Sequence, residues 1–154
     1  RRVLFRSAQL FESVGCAACH VRQMGTVDGF FSDLLLHDMG PDLVSPGAGY
    51  SGPSFRAPGD DVIPLAQTID EKTTNIPNPP TAQEWRTPPL WGVRDSAPYL
   101  HDGRATTLEE AIAFHGGEAA KSRLKFFMQP PVERQKFIAF LKSLIAPKHT
   151  KAQR

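Results

Sequence analysis

The sequence predicts a mainly α-helical domain in which a few helices and long loops rich in proline and glycine surround one centre. Its 154 residues fit a single domain, and runs with helical periodicity lie near both ends. Between them, 11 of the 14 prolines fall in the stretch from Pro41 to Pro98, where regular structure should be scarce. Because only 40% of the residues are apolar, we expect a bound group to complete a modest core.

The first helical patterns lie at residues 8–14 and after Thr107. Residues 8–14 form a short helix-compatible run that stops at Gly15. Thr107 and Glu110 have the spacing of a capping box, which satisfies the free amides at the start of a helix. The apolar run that follows the box ends at the paired glycines 116 and 117. We therefore predict a short helix on each side of the loop region.

Two further helices are predicted near the end of the chain. Residues 118–129 are a helical stretch, and Pro131 opens a last helix, where proline fits the first turn. The apolar residues of this last helix recur at helical spacing and form one stripe: Phe137, Phe140, Leu141 and Leu144. A stripe of this kind indicates a helix that packs on one side only.

The ends of the chain carry much of its basic charge. Residues 1–7 look like a foreign or disordered start, residues 8–146 like the domain itself, and residues 147–154 like a basic tail. The net charge of +2 gives no footprint for nucleic-acid binding. No apolar run approaches the roughly 18 residues that a membrane span needs. Neither a nucleic acid nor a bilayer is therefore expected as a partner.

Both cysteines lie in one motif, Cys16-Ala-Ala-Cys19-His20. Two thiols at this spacing can form thioethers with the vinyl groups of haem, and the adjacent imidazole can bind the iron. A structural zinc would need four ligands, with histidines from elsewhere, and a thioredoxin-like pair would need a βαβ context. We therefore predict one covalent haem c per chain, held by Cys16, Cys19 and His20, in a periplasmic or other extracytoplasmic protein.

The sixth iron ligand decides between electron transfer and small-molecule chemistry. His115 lies at helical spacing from Leu108, Ala111 and Ile112, so it should project from the buried face of its helix. It is the first candidate, although a core histidine bonded to the backbone would show the same pattern. Met39 and Met128 are the alternatives, listed second because methionine more often fills gaps in a core.

The remaining histidines have weaker patterns. His37 and His101 each precede an aspartate near a glycine, as in turns, and either is a candidate acid or base. His149 lies in the basic tail, where a solvated side chain is expected.

Several motifs resemble the C-terminal haem domain of the bacterial di-haem cytochrome c peroxidase superfamily. They are Trp85-Arg-Thr-Pro-Pro-Leu-Trp-Gly92 and Ala97-Pro-Tyr-Leu-His-Asp-Gly-Arg-Ala-Thr-Thr-Leu-Glu-Glu110. Two others, Leu34-Leu-Leu-His-Asp-Met-Gly40 and Phe114-His-Gly-Gly-Glu-Ala119, are most similar to the branch of di-haem oxidoreductases that are also described as thiol oxidoreductases. The resemblance extends roughly from Ala8 to Leu144.

The resemblance implies a ligand at His115. In the peroxidases, the residue fourteen positions after the His of the His-Asp-Gly motif is the methionine that completes the electron-transfer haem, and counting from His101 gives His115. The related methylamine-utilisation enzyme has a tyrosine there. The implied coordination is therefore by His20 and His115, with a lower potential than that of a His/Met haem.

The resemblance also implies a function for the domain. It would be the C-terminal domain of a larger protein whose other haem domain is missing from this sequence, and it would relay electrons to or from that second haem. Its other partners would be a redox protein or a small-molecule oxidant or reductant. The alternative is an enzyme that reduces peroxide or oxidises thiols at this iron, with His101 or His37 moving protons. Five side chains would line the haem pocket or bind its propionates: Trp85, Trp91, Arg86, Arg94 and Arg104.

Overall fold

The computed structural model describes residues 2–44 and 81–146. Four α-helices form most of the core of these segments: α1 (Arg2–Val14), α2 (Leu108–Ala113), α3 (Ala120–Phe127) and α4 (Pro131–Lys142). Two small antiparallel sheets accompany them: β1 (Gln23–Met24) with β2 (Val27–Asp28), and β3 (Leu36–Asp38) with β4 (Glu84–Arg86). The four helices occur in the predicted order, with differences in their bounds, and the strands make the described fold mixed rather than mainly helical.

Helix α1 begins at Arg2, six residues before the predicted start. Ser7, Phe11 and Val14 are buried at helical spacing, so the face that packs on the core continues toward the N-terminus. The foreign or disordered start of residues 1–7 stays a prediction, although residues 2–7 belong to α1. The predicted basic tail, residues 147–154, lies outside the described residues.

Helix α2 starts with the predicted capping box. The Glu110 amide donates to Thr107 Oγ1 at 3.1 Å, and the Thr107 amide donates to Glu110 Oε2 at 3.1 Å. The helix ends at Ala113 with Phe114 as its C-cap, so it is shorter than the pattern predicts. His115 therefore lies just beyond the helix, where it is still half-buried.

Removing this cap should lower stability without touching the haem motif. We expect Thr107→Ala to reduce the free energy of unfolding by about 1 kcal/mol, because the amide of Glu110 loses its acceptor at the helix start. Chemical denaturation followed by circular dichroism measures this. Thr26→Ala, at an exposed turn between β1 and β2, is the control and should cost much less. Equal losses in the two variants would contradict the role of the cap.

Helices α1 and α4 meet through aromatic rings. Phe11 lies 5.7 Å from both Phe137 and Phe140, measured between ring centroids, and Phe126 of α3 lies 5.0 Å from Phe137. Phe137, Phe140 and Leu141 are buried as the stripe predicts, which confirms the last helix. This aromatic cluster supports the end of α1, immediately before the Cys16–His20 motif.

The predicted helix over residues 118–129 is divided. A 3₁₀ turn covers Gly117–Ala119, and α3 follows from Ala120 to Phe127. Gly117, the first residue of this turn, has φ +46°, a left-handed conformation that favours glycine. A Cβ on Gly116 would lie 2.5 Å from the carbonyl oxygen of Met39. The two glycines thus allow the backbone after His115 to lie directly against the end of β3.

No helix among the described residues is long and apolar enough to span a bilayer.

Candidate haem-binding site

The Cys16–His20 motif follows α1 through a left-handed turn. Gly15 has φ +100°, and a Cβ there would lie 2.7 Å from Ser122 Oγ, so glycine is required on two grounds. Cys16 opens a short 3₁₀ turn, and the His20 amide donates to the Cys16 carbonyl at 3.0 Å. This compact geometry brings the two thiols and the imidazole of the motif within about one turn of each other.

The two thiols are free and half-buried. Burial raises the pKa of Cys16 to about 12. The pKa of Cys19 is also raised, first by burial and then by the charges of Asp33 and Glu118. Surroundings that disfavour a thiolate suit a sulfur that ends as a neutral thioether better than one that binds zinc as an anion. The site therefore fits covalent haem attachment.

His20 is held in one orientation by the backbone. Its Nδ1 lies 3.0 Å from the Phe31 carbonyl oxygen, and since a carbonyl can only accept, Nδ1 donates. Burial lowers the pKa of His20 to about 4, so the ring is neutral and Nε2 carries the lone pair. A neutral imidazole whose Nδ1 donates to a carbonyl is the usual form of a metal-binding histidine.

His115 has the same arrangement. Its Nδ1 donates to the Ala111 carbonyl at 2.7 Å, and burial lowers its pKa, so its Nε2 is likewise the free basic atom. A charge on His115 would lower the pKa of His20 further. Two neutral imidazoles, each with Nδ1 occupied, are what an iron with two axial histidines requires.

His37 lies on β3 and not in a turn. Its Nε2 is 2.8 Å from Asp33 Oδ2, and its Nδ1 is 2.8 Å from Glu118 Oε2. The bond to Glu118 above all raises the pKa of His37. A ring with both nitrogens bonded to carboxylates is poorly placed to exchange protons with a substrate. His37 therefore fits a structural role better than the acid or base role considered from the sequence.

His101 is exposed and lies against Trp85. The ring centroids are 3.7 Å apart, and the planes meet at 86°. Trp85 in turn pairs with His37 in the register of β3 and β4. The structure thus places His101 on the outer side of the aromatic residue, with an exposed imidazole.

The three arginines expected near the haem differ in their surroundings. Arg86 donates to the Leu34 carbonyl at 2.6 Å, and the exposed Arg94 pairs with its neighbour Asp95. Arg104 donates to Asp102 and to the carbonyls of residues 42 and 44. Its guanidinium also lies 5.8 Å from the ring of Phe114, next to His115, and 5.9 Å from that of Trp85. Of the three arginines, Arg104 is therefore the nearest to His115 along the chain, and its guanidinium contacts the residue before His115.

Trp91 occupies a different place from Trp85. Its ring meets Phe30 edge-on, with centroids 4.8 Å apart. Phe30 adjoins Phe31, whose carbonyl holds His20. Contact of these tryptophans or of the arginines with haem propionates stays a prediction.

The methionine alternatives are not equivalent. Met128 is 82% exposed at the C-cap of α3, so its sulfur is poorly placed to bind a buried iron. Met39 is half-buried, and its backbone touches Gly116 beside His115. Met39 is therefore the methionine that remains to be tested against His115.

Asp33 and Glu118 are site residues that the sequence analysis did not identify. Ligand atoms of Cys19, Asp33 and His37 lie within 4.8 Å of one another, so the acidic pair borders the haem motif. Glu118 is separated from His37 by 81 positions. No local pattern indicates such a contact, although both residues stand in motifs that carry the family resemblance.

Comparison with known proteins supports the resemblance. Residues 78–144 match the family model described as "Di-haem oxidoreductase, putative peroxidase". Cytochrome-c peroxidase IdrP1 of Pseudomonas sp. (strain SCT) is 30% identical over 90% of this chain and 39% of its own length. Methylamine utilization protein MauG of Methylorubrum extorquens is 30% identical over 86% of this chain and 31% of its own length. The chain thus spans between about a third and two fifths of these relatives.

One solved structure is also similar to this chain. A chain of hydrazine synthase from Kuenenia stuttgartiensis, studied under xenon, superposes with a TM-score of 0.51 and 26% identity, covering 94% of this chain and 46% of that one. The matched family residues include His115 and Glu118, while the Cys16–His20 motif precedes them. Residues 78–144 are thus a domain of the di-haem oxidoreductase family, and the chain is similar to cytochrome-c peroxidase IdrP1 and to MauG.

Proposed function

We propose that the chain is a c-type haem domain, the C-terminal domain of a periplasmic di-haem oxidoreductase, and relays electrons to or from a second haem domain of the same protein. Cys16 and Cys19 would form the thioethers, and His20 and His115 would bind the iron. When bound, the haem supplies one-electron redox chemistry. His20 and His115 would hold the iron between them and so keep small molecules from binding to it.

The observation that best supports this proposal is that the imidazoles of His20 and His115 have the same hydrogen-bonding and protonation state. Each Nδ1 donates to a backbone carbonyl, at 3.0 Å in His20 and 2.7 Å in His115, and each ring has a lowered pKa. Neutral imidazoles whose Nδ1 is already bonded have Nε2 available to bind iron. His20 and His115 would then both hold the iron, which favours electron transfer over binding of a substrate at the metal.

The competing function is that of an enzyme acting at this iron. Reduction of peroxide or oxidation of a thiol at the metal would require an open axial position and a nearby group that exchanges protons. His37 has both ring nitrogens bonded to carboxylates, and His101 is exposed beside Trp85. These arrangements support the relay function more than the enzymatic one.

Purified protein matured in the periplasm distinguishes the two functions. The relay function predicts one covalent haem per chain in the pyridine haemochrome assay, rapid reduction and reoxidation by small one-electron mediators, and no turnover of hydrogen peroxide with a mediator as the electron donor. Mediator oxidation that depends on peroxide, at a rate proportional to the amount of this chain, would contradict it. His115→Ala provides a control with an opened iron, in which peroxide reactivity should increase.

A further inference from the structure

Three side chains form a cluster that we name the carboxylate clamp: Asp33, His37 and Glu118. The His37 ring lies between the two carboxylates, with a 2.8 Å bond on each side. The side chains of Asp33 and His37 are 14% and 16% exposed, whereas that of Glu118 is 57% exposed. The inner half of the clamp is therefore shielded from water, and its outer half is accessible to substitution.

The clamp connects the two segments that carry the axial histidines. Asp33 follows Phe31, whose carbonyl orients His20. Glu118 follows His115 by three residues, and its second oxygen accepts the Asp38 amide at 3.1 Å. A single stretch of chain, residues 31–38, thus holds the His20 imidazole at one end and the backbone after His115 at the other.

Two features make this connection specific for the position of His115. Strand β3 is fixed by its pairing with β4, in which His37 faces Trp85. Between His115 and Glu118 there are only two glycines, which restrict the backbone less than any other residue. Since α2 has ended at Ala113, the bonds of Glu118 restrain this short segment from its far side, and the 2.7 Å bond of His115 Nδ1 to the Ala111 carbonyl restrains it from the side of the helix.

We propose that His37 is a positioning residue, whose bonds to Asp33 and Glu118 hold His115 at the distance from His20 that the iron requires. This inference rests on the proposed function, because it assumes that both histidines bind the iron. The clamp would act through the backbone that connects Glu118 to His115. Its loss should let the His115 segment move and leave the iron six-coordinate for less of the time.

Two amide substitutions separate the two halves of the clamp. An asparagine nitrogen lies near the place of Nδ1 and a glutamine nitrogen near that of Nε2, so His37→Asn can keep the bond to Glu118 and His37→Gln the bond to Asp33. We expect His37→Gln and Glu118→Gln to raise the rate of cyanide binding to the ferric protein about tenfold, as the loss of a charged hydrogen bond implies. His37→Asn should raise it less.

The controls separate positioning from general destabilisation. Asp95→Asn removes an exposed ion pair away from the clamp and should change the cyanide rate by less than about twofold. Rates are measured well below each variant's melting temperature, where lower stability alone does not increase access to the iron. If His37→Gln fails to fold, Glu118→Gln carries the test, since its side chain is mostly in solvent.

The outcomes distinguish this inference from the proposed function. Unchanged cyanide rates in His37→Gln and Glu118→Gln, together with a large increase in His115→Ala, would overturn the inference and leave the proposed function standing. An unchanged rate and spectrum in His115→Ala would overturn both. A larger effect of His37→Asn than of His37→Gln would also contradict the inference, because the bond to Asp33 would then be the important one.

Discussion

Replacing both Cys16 and Cys19 with serine should yield a protein without covalent haem and with a poorly formed fold. Both sulfurs are free thiols in the polypeptide, and Cys16 packs against the cluster that includes Phe11 and Val14 at the end of α1. Without the thioethers, the haem is held by axial ligands alone and acid acetone should extract it. In a chain of 40% apolar residues, loss of a large apolar ring removes much of the buried surface.

Haem staining after denaturing electrophoresis and the melting temperature measure these two effects. Each single variant should keep one thioether and retain part of its haem. Ala18→Ser, at an exposed position within the same motif, is the matched control and should mature normally. A double variant that melts at the temperature of the haem-loaded protein would refute the view that the ring completes the core.

His115→Ala should convert the ferric protein from nearly all low-spin to mostly high-spin. Two imidazoles give a strong ligand field, and their loss on one side leaves water or an empty position. The variant should also bind cyanide or added imidazole, and added imidazole should restore the low-spin spectrum. Because the Nδ1 of His115 bonds to the backbone of its own helix end, its removal leaves no distant partner unpaired.

Methionine variants are the controls for this assignment. Met128→Ala should leave the spectrum intact, because that side chain is 82% exposed. Met39→Ala should also leave it intact, although its backbone adjoins Gly116. If His115→Ala stays low-spin and Met39→Ala becomes high-spin, Met39 is the ligand. If the wild-type protein is itself high-spin, the iron is open and the enzymatic function takes precedence.

The elements that could be predicted from the sequence are those fixed by neighbours along the chain. The capping box of Thr107 and Glu110 and the stripe of Phe137, Phe140 and Leu141 depend on spacings of three or four residues, and both are present. The Cys16–His20 motif is likewise local, and it forms the compact turn that attachment to haem needs. Attachment itself and the ligand role of His115 stay predictions.

The parts that were missed depend on contacts distant in sequence. Strand β3 has only three residues, which is too few for an alternating pattern to reveal it in the sequence. It pairs with β4 across a long intervening stretch of chain. The carboxylate clamp joins His37 to Glu118 across 81 positions. The early end of α2 follows from Gly116 and Gly117, whose close approach to β3 only the folded chain shows.

The measurement that tests the account most directly is the near-infrared magnetic circular dichroism of the ferric wild-type protein, combined with its electron paramagnetic resonance spectrum. Both distinguish a haem with two histidine ligands from one with histidine and methionine. Coordination by His20 and His115 predicts a low-spin species with the charge-transfer band of two imidazoles and no methionine-type band. A methionine-type band, or a dominant high-spin signal, would contradict the assignment of His115 and with it the proposed relay.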